Sequence, residues 1–474
     1  MDGLQRFATL PDWLIAISDA DQVRGALARG IPEFATGQLT LLSCKVRRAR
    51  LKGRSWTAMY QLEVDGLPTG QQEVNLRGVL LMPGQAEPAP SSEGAGFGTP
   101  EWRCYLPELR LKLEMQPPDE ALPALPILTD PDESRALLER SIRASSPAYR
   151  AIRIQASTPK VMRYKPGSRC TVLYRLKYPA DEPAARDWPD IVVAKTYGGN
   201  KGQVAYDGMR ALWESALAKS STVTIAEPLA LVPEMNVMVQ GPIREEQTLQ
   251  DLIRSTLRVN TPEARAELDD YLRKTAVGMV ELHRSGVEPD AVRTWEDELA
   301  EVRDIADRLA GAIPDLAGGL TPLLARLEAI AAEHPADPPV PTHGTFRPAQ
   351  VLLNKGQIGF IDFDNFCQAE PALDLSLFVG KIKDIGLSPM EGEEEEVAAM
   401  SQADLLDRLA RSEAICETFL AEYEKHAPVS RQRIMLWEAL NLITIILHSW
   451  TKVRSVRLMT NMLVIEHFLR ANGL

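Results

Sequence analysis

The run from Pro341 to Phe378 reads PTHGTFRPAQVLLNKGQIGFIDFDNFCQAEPALDLSLF, and it holds most of the side chains able to do chemistry. A short loop is entered by His343-Gly344, an apolar β-pair follows, and Asp362 stands just past its end. That layout returns Asp362 to the side of the loop at Thr345–Gln350. A carboxylate in a turn after a buried strand is costly unless it meets a cation or hydrogen-bond donors, and a metal ion is one such cation. Asp364, two residues on, can face the same side as a second carboxylate. Phosphoryl transfer asks a protein for these parts: oxygen ligands for a metal, a cation on the phosphates, and a residue that orients the acceptor.

The cation has to come from another segment. Lys195 ends the apolar run Ile191-Val192-Val193-Ala194, which buries its stem and presents its ammonium. Upstream, Tyr164-Lys165-Pro166-Gly167-Ser168-Arg169-Cys170 lies between two strand candidates. Gly167 lets backbone N–H groups approach a phosphate, and Arg169 adds a guanidinium. Pro-Gly is equally a plain turn.

These segments need a scaffold. Leu39–Met82 alternates in strand fashion, and Trp102–Met115 supplies a last strand-like run, which together predict a small antiparallel sheet. Gly84–Pro100 between them reads as a flexible loop. A helix follows Asp130, with Leu137, Leu138 and Ile142 on one face. Strands are expected at Ala151–Thr158, Lys160–Lys165, Cys170–Tyr178 and Ile191–Tyr197, then a helix over Gly202–Lys219 and paired strands around residues 229–240. Beyond Pro242 apolar residues recur at helical spacing over 247–255, 262–285, 291–312, 320–333, 403–425 and 431–471. The reading is therefore three units: 1–145, β-rich; 146–242, β-rich; 243–474, mostly helical. The acidic run Glu391–Glu396 reads as a solvated loop.

With 474 residues, 45% hydrophobic and 25% charged, the chain is an ordinary globular composition with room for about two to four domains. A net charge of −12 argues against nucleic acid as the main partner, because affinity for phosphate backbones comes from clustered Lys and Arg. The five cysteines are far apart, without metal-ligand spacing, so neither a structural zinc nor a disulfide framework is expected. Glu438, Asn441 and His448 interrupt the most apolar stretch, and no membrane span is expected. The cytoplasm is the expected location.

The segment 341–378 closely resembles the catalytic segment of aminoglycoside phosphotransferases and their relatives, the choline, fructosamine and maltose kinases. Their pattern is His-Gly-Asp-x-x-x-x-Asn followed by Ile-Asp-Phe. The resemblance spans roughly residues 150–460 and implies an α+β, bilobal protein-kinase-like fold, a β-rich N-lobe and a mostly helical C-lobe, here preceded by a small β-rich domain. A preceding domain also occurs in maltokinase-like members. The resemblance implies ATP and Mg2+ as cofactors and a small hydroxylated acceptor: a sugar, an aminoglycoside-like compound or an amino-alcohol.

It also assigns residues. Lys195 would bind nucleotide phosphates, steadied by an acid on the next helix, with Asp207 favoured over Glu214. Gly167 and Arg169 would contact the nucleotide, and Gln240 would stand at the hinge between lobes. Asp362 and Gln350 would hold the metal; Thr345, Asp364 and Arg347 would occupy the catalytic loop and its edge. His343, Asp374 and His283 would be architectural, and the 431–471 region would line the acceptor pocket.

The pattern is broken at two positions. Thr345 stands where the family has its catalytic Asp, and Gln350 where it has Asn. A threonine hydroxyl has no basicity near neutral pH, and proton handling of that kind is worth ~10²–10⁴ in rate. Asp364 or Glu370 could substitute. The expected function is an ATP/Mg-dependent phosphotransferase; the alternative is a pseudokinase, a nucleotide-binding or scaffolding protein that works through its first domain.

Overall fold

The computed structural model describes residues 7–68, 70, 72–82, 84–88, 96–182, 187–313, 315–388, 397 and 399–474. The run Glu391–Glu396 and residues 89–95 of the expected loop lie outside the described residues.

Strands β1 (Thr40–Lys52), β2 (Ser55–Asp65), β3 (Glu73–Leu80), β4 (Arg103–Leu106) and β5 (Leu111–Met115) form an antiparallel sheet in the order β1-β2-β3-β5-β4. Strict alternation sends Trp56, Ala58, Tyr60, Leu62 and Val64 of β2 inward. A helix at Ala20–Gly30, absent from the sequence reading, buries Val23, Ala26 and Leu27. Asp19 caps it by accepting from Asp21 N and Gln22 N.

The N-lobe sheet has the order β10-β11-β8-β7-β6. Its strands are β6 (Ala156–Lys165), β7 (Arg169–Lys177), β8 (Ile191–Tyr197), β10 (Pro228–Val232) and β11 (Val237–Gln240); β9 (Val223–Ile225) joins another sheet. β6 runs unbroken through Pro159, where the sequence reading divides it, because β6 is an edge strand and an edge tolerates proline. The helix Pro131–Ser145 packs on this sheet: Leu137, Leu138 and Ile142 share one core with Val172, Tyr174 and Ala194. Tyr174 Oη donates to Leu128 O at 2.7 Å, and Ser146 Oγ to Leu229 O at 2.6 Å. Residues 122–145 thus belong physically to the N-lobe, and the first sheet ends earlier, at Met115.

The C-lobe is helical around a small sheet of β12 (Gln247–Thr248), β14 (Val351–Asn354), β15 (Gln357–Phe360) and β9, with β13 (Val340–Thr342) paired to β16 (Cys367–Ala369). The expected run 431–471 is two helices, Arg431–Thr451 and Ser455–Ala471, broken where Val453 takes φ 52°. Arg431–Thr451 is long and apolar enough to cross a membrane by length and composition, yet 83% of its apolar window is buried inside the protein. The result is a two-lobed α+β architecture, a β-rich N-lobe and a mostly helical C-lobe, preceded by the first sheet.

The first domain touches both lobes. Asp119 Oδ2 accepts from Tyr164 Oη at 2.9 Å and from Gly167 N at 2.8 Å, and Trp450 Nε1 donates to Phe7 O at 3.0 Å.

Candidate active site

Each lobe contributes a strand end. β8 places Lys195 opposite Thr171 and Met238, with 6% of the residue exposed. β7 begins at Arg169, directly after the turn at Gly167, which takes φ 69°. From below, β15 ends at Phe360, and Asp362 adopts φ 72°, a left-handed conformation that Asp tolerates better than most residues. That reversal turns its carboxylate toward the sheet.

The loop beneath is fixed by Asp374, at the start of the helix Pro371–Leu387. Its carboxylate accepts from His343 N at 2.6 Å and Gly344 N at 2.9 Å, and lies 3.3 Å from His283 Nε2. His283 Nδ1 is 2.8 Å from Tyr423 Oη. His343 Nε2 donates to Ile361 O at 2.9 Å, since a carbonyl can only accept, and this ties the loop to the residue before Asp362. Gly344 takes φ 77°, and a methyl there would sit 2.1 Å from Asn365 O, so glycine is required.

The two lobes meet in a four-residue clasp. Lys195 Nζ lies 2.9 Å from Asp362 Oδ1 and 2.8 Å from Asp364 Oδ1. Arg169 Nη1 lies 3.3 Å from Asp362 Oδ1 and also pairs closely with Asp364. Tyr197 Oη donates to Asp364 Oδ1 at 2.9 Å, and Gln350 Nε2 to Asp362 Oδ2 at 3.3 Å. Burial alone would lower Lys195, but the carboxylates of Asp364 and Asp362 outweigh it and hold the ammonium above the ordinary lysine range. Burial would raise Asp362; Lys195 and Arg169 outweigh it and hold the carboxyl far below the usual range. Burial and then Asp364 push the Tyr197 phenol up, so it stays a donor.

Of the residues expected from the sequence, Lys195, Arg169, Asp362, Asp364 and Gln350 are brought together. Arg347 stands at the margin, with Nη2 4.0 Å from Asp362 Oδ2. Thr345 lies on the same loop, half-buried, and its hydroxyl makes no hydrogen bond to the described residues. Gly167 is at the hairpin tip, held by Asp119, and Gln240 is buried on β11 opposite Val193.

Asp207 does not meet Lys195. It is about half exposed and turned to Gln203 and Arg210, while the inward face of the helix Lys201–Glu214 is Ala205, Tyr206, Met209 and Leu212. Glu214 is exposed as well. The acid for Lys195 comes from the opposite lobe. Glu370 is equally engaged elsewhere: it is buried, paired with Arg433 and 3.2 Å from Trp437 Nε1. Tyr197 and Asp119 were not read from the sequence. Tyr197 had a signal, since residues i and i+2 on a strand share a face with Lys195; Asp119, far upstream of Gly167, had none.

Two carboxylates and the Gln350 amide form a hard oxygen set of the kind magnesium takes. Gln350 Oε1 is buried without a hydrogen-bond partner, a free carbonyl oxygen inside the site. Among the described residues no group of three or more His, Cys, Asp and Glu gathers as a metal centre, at this site or elsewhere.

Residues 247–428 match the family model described as "Phosphotransferase enzyme family". That span contains the whole 341–378 segment and most of the C-lobe. Among solved structures, a glucosamine kinase is similar at 13% identity and TM-score 0.47, over 96% of this chain and 98% of that one. A choline kinase from Cryptosporidium parvum Iowa II is similar at 12% identity and TM-score 0.47, over 72% of this chain and 95% of that one. The streptomycin-ATP-APH(2")-IIa ternary complex gives 12% identity and TM-score 0.43, over 68% and 93%. No curated protein matches the chain.

Proposed function

We propose that this protein is a small-molecule phosphotransferase that binds ATP between its lobes with Mg2+. The observation that carries this reading is the clasp: Lys195 and Arg169 from the sheet converge on Asp362 and Asp364 from the helical lobe. Asp362 and Gln350, with Asp364 beside them, would hold magnesium. Bound there, it would neutralise charge on the nucleotide's phosphates. Lys195 and Arg169 supply fixed positive charge in a site where a buried ammonium and guanidinium act without solvent reorganisation. Asp374 and His343 keep the loop at Thr345 in register with Asp362. All five cysteines are free, which suits the reducing cytoplasm we assign it to.

A second reading, a nucleotide-binding pseudokinase, is favoured by one observation. Thr345 offers no carboxylate, and Asp362, Asp364 and Glu370 are each already paired.

The test is a thermal-shift titration with ATP and magnesium, followed by an assay of nucleoside diphosphate release. Both readings expect ATP to raise the melting temperature, and expect Lys195→Ala and Asp362→Ala to abolish that shift. Nucleoside diphosphate release in the presence of an acceptor separates the first from the second. No shift with any nucleotide contradicts both.

A further inference from the structure

A cavity of about 220 Å³, separate from the clasp, lies at the joint between the first domain and the N-lobe. One wall is the outer face of the first sheet; the other is the tip of the β6–β7 hairpin, with the segment after β5 between them. Its charge is one-sided. The lining holds four cations, Arg48, Arg50, Lys52 and Arg77, against one acid, Asp119.

The pleat puts the cations there. Ala49 and Leu51 of β1 are buried in the core beneath the sheet, so Arg48, Arg50 and Lys52 alternate onto the opposite face. Strand pairing sets Arg48 beside Met59 of β2, Met59 beside Arg77 of β3, and Arg77 beside Glu114 of β5. The backbones of Arg48 and Arg77 are thus about 10 Å apart across the sheet, and successive cations of β1 are about 7 Å apart along it. Lys52 reaches the hairpin: a methyl added at Gly167 would lie 3.8 Å from its Nζ.

The nearby acids are already engaged. Asp119 accepts from Tyr164 Oη and Gly167 N, and Glu114 pairs with Arg77 at 3.0 Å and with Arg103 at 3.2 Å. Among the described residues Arg48, Arg50 and Lys52 have no carboxylate within ion-pair distance. Like charges on adjacent positions of a sheet repel. In a chain of net charge −12, their gathering in one recess is a local reversal of sign.

We propose that this cavity binds a small oxyanion carrying several charges, of the pyrophosphate or tricarboxylate kind. Guanidinium groups match pairs of phosphate or carboxylate oxygens, and Lys52 adds a point charge at the hairpin end. Pockets for drug-sized ligands run about 300–1,000 Å³, so the occupant of this one is smaller. It would bridge the first sheet and the hairpin that carries Arg169, which gives the first domain a hold on that hairpin. The site stands whether or not the clasp transfers phosphate.

The experiment is a calorimetric titration of the full chain, in magnesium-free buffer, with pyrophosphate, citrate and glucose. The expected result is binding of pyrophosphate, citrate or both, and none of glucose; the two anions show whether phosphate or carboxylate oxygens are preferred. Arg48→Gln and Lys52→Gln, on the solvent face of β1, should each weaken the bound anion by about three- to tenfold, the worth of one charge-assisted contact at a partly exposed site. Arg54→Gln removes an exposed cation from the neighbouring turn, outside the cavity, and should change affinity by less than about twofold. Equal weakening by all three substitutions would mean a diffuse field rather than a site and overturns the inference, as does failure of both anions to bind. Because the clasp is also cationic, the titration is repeated with a non-hydrolysable ATP analogue present. An anion that the analogue displaces, and that Arg48→Gln and Lys52→Gln leave unaffected, sits in the clasp and overturns the inference.

Discussion

The clasp and the loop edge beside it carry charge of the same sign and hold it differently. On the nucleotide side Lys195 and Arg169 are each matched by Asp362 and Asp364, with Tyr197 and Gln350 filling further positions. At the edge of the loop Arg347 reaches a carboxylate only at 4.0 Å, the outer oxygen of Asp362, and its Nε is buried without a partner. A matched, buried cluster holds the lobes in register before any ligand arrives. The tightly paired cations act as a clasp, and Arg347 at its margin is the looser partner.

The comparison breaks most easily at Lys195. Lys195→Ala leaves two buried carboxylates short of their central cation, and removing one partner of such a cluster costs about 3–5 kcal/mol. A denaturant melt should show that loss; an unchanged midpoint would mean the clasp does not hold the lobes. A comparable effect is expected at the support beneath the loop. Asp374→Ala strips the acceptor from the buried N–H groups of His343 and Gly344, at about 1–3 kcal/mol each. The same melt should register it, together with loss of any nucleotide-induced shift.

The smallest effect sharpens the contrast. Lys452→Gln removes a charge whose strongest charged neighbours are cations, so stability should stay within about 0.5 kcal/mol of the native protein and move upward if it moves. A clear destabilisation would show that Lys452 has a structural partner. The pH dependence follows from the same groups. Burial and the surrounding cations lower Lys165 and Lys452 to about 8, with Arg163, Arg169, Arg347, Arg454, Arg457 and Lys381 as neighbours and Asp384 engaged by Lys381. The folded protein sheds these protons before the unfolded chain does, so stability should rise as pH climbs from about 7 to 9. A flat profile would mean that these lysines are not crowded by the cations around them.

What the amino-acid sequence made legible was local. Asp362, Asp364, Gln350 and Thr345 sit on one hairpin and its flanks, so their proximity follows from strand pairing alone. Lys195 was legible as the one charged residue of an apolar strand, and the structure buries it there. Asp207 was misplaced because a helix offers several acids and the sequence does not say which face turns inward; here that face is Ala205, Tyr206, Met209 and Leu212. The helix Pro131–Ser145 was placed with the first sheet because an apolar stripe fits either sheet, and only Ser146 and Leu128 reaching the N-lobe decide it. The break at Lys452 was hidden because no Gly or Pro marks it. The commitment of Glu370 to Arg433 and of Glu438 to Lys383 joins residues far apart in sequence, which no spacing reveals.

The most direct measurement is a crystal structure of the protein with a non-hydrolysable ATP analogue and magnesium. The account predicts phosphate oxygens within hydrogen-bond distance of Lys195 Nζ and Arg169, and magnesium against Asp362 and Gln350. A nucleotide bound away from the clasp, with Lys195 still closed on Asp362 and Asp364, would contradict it.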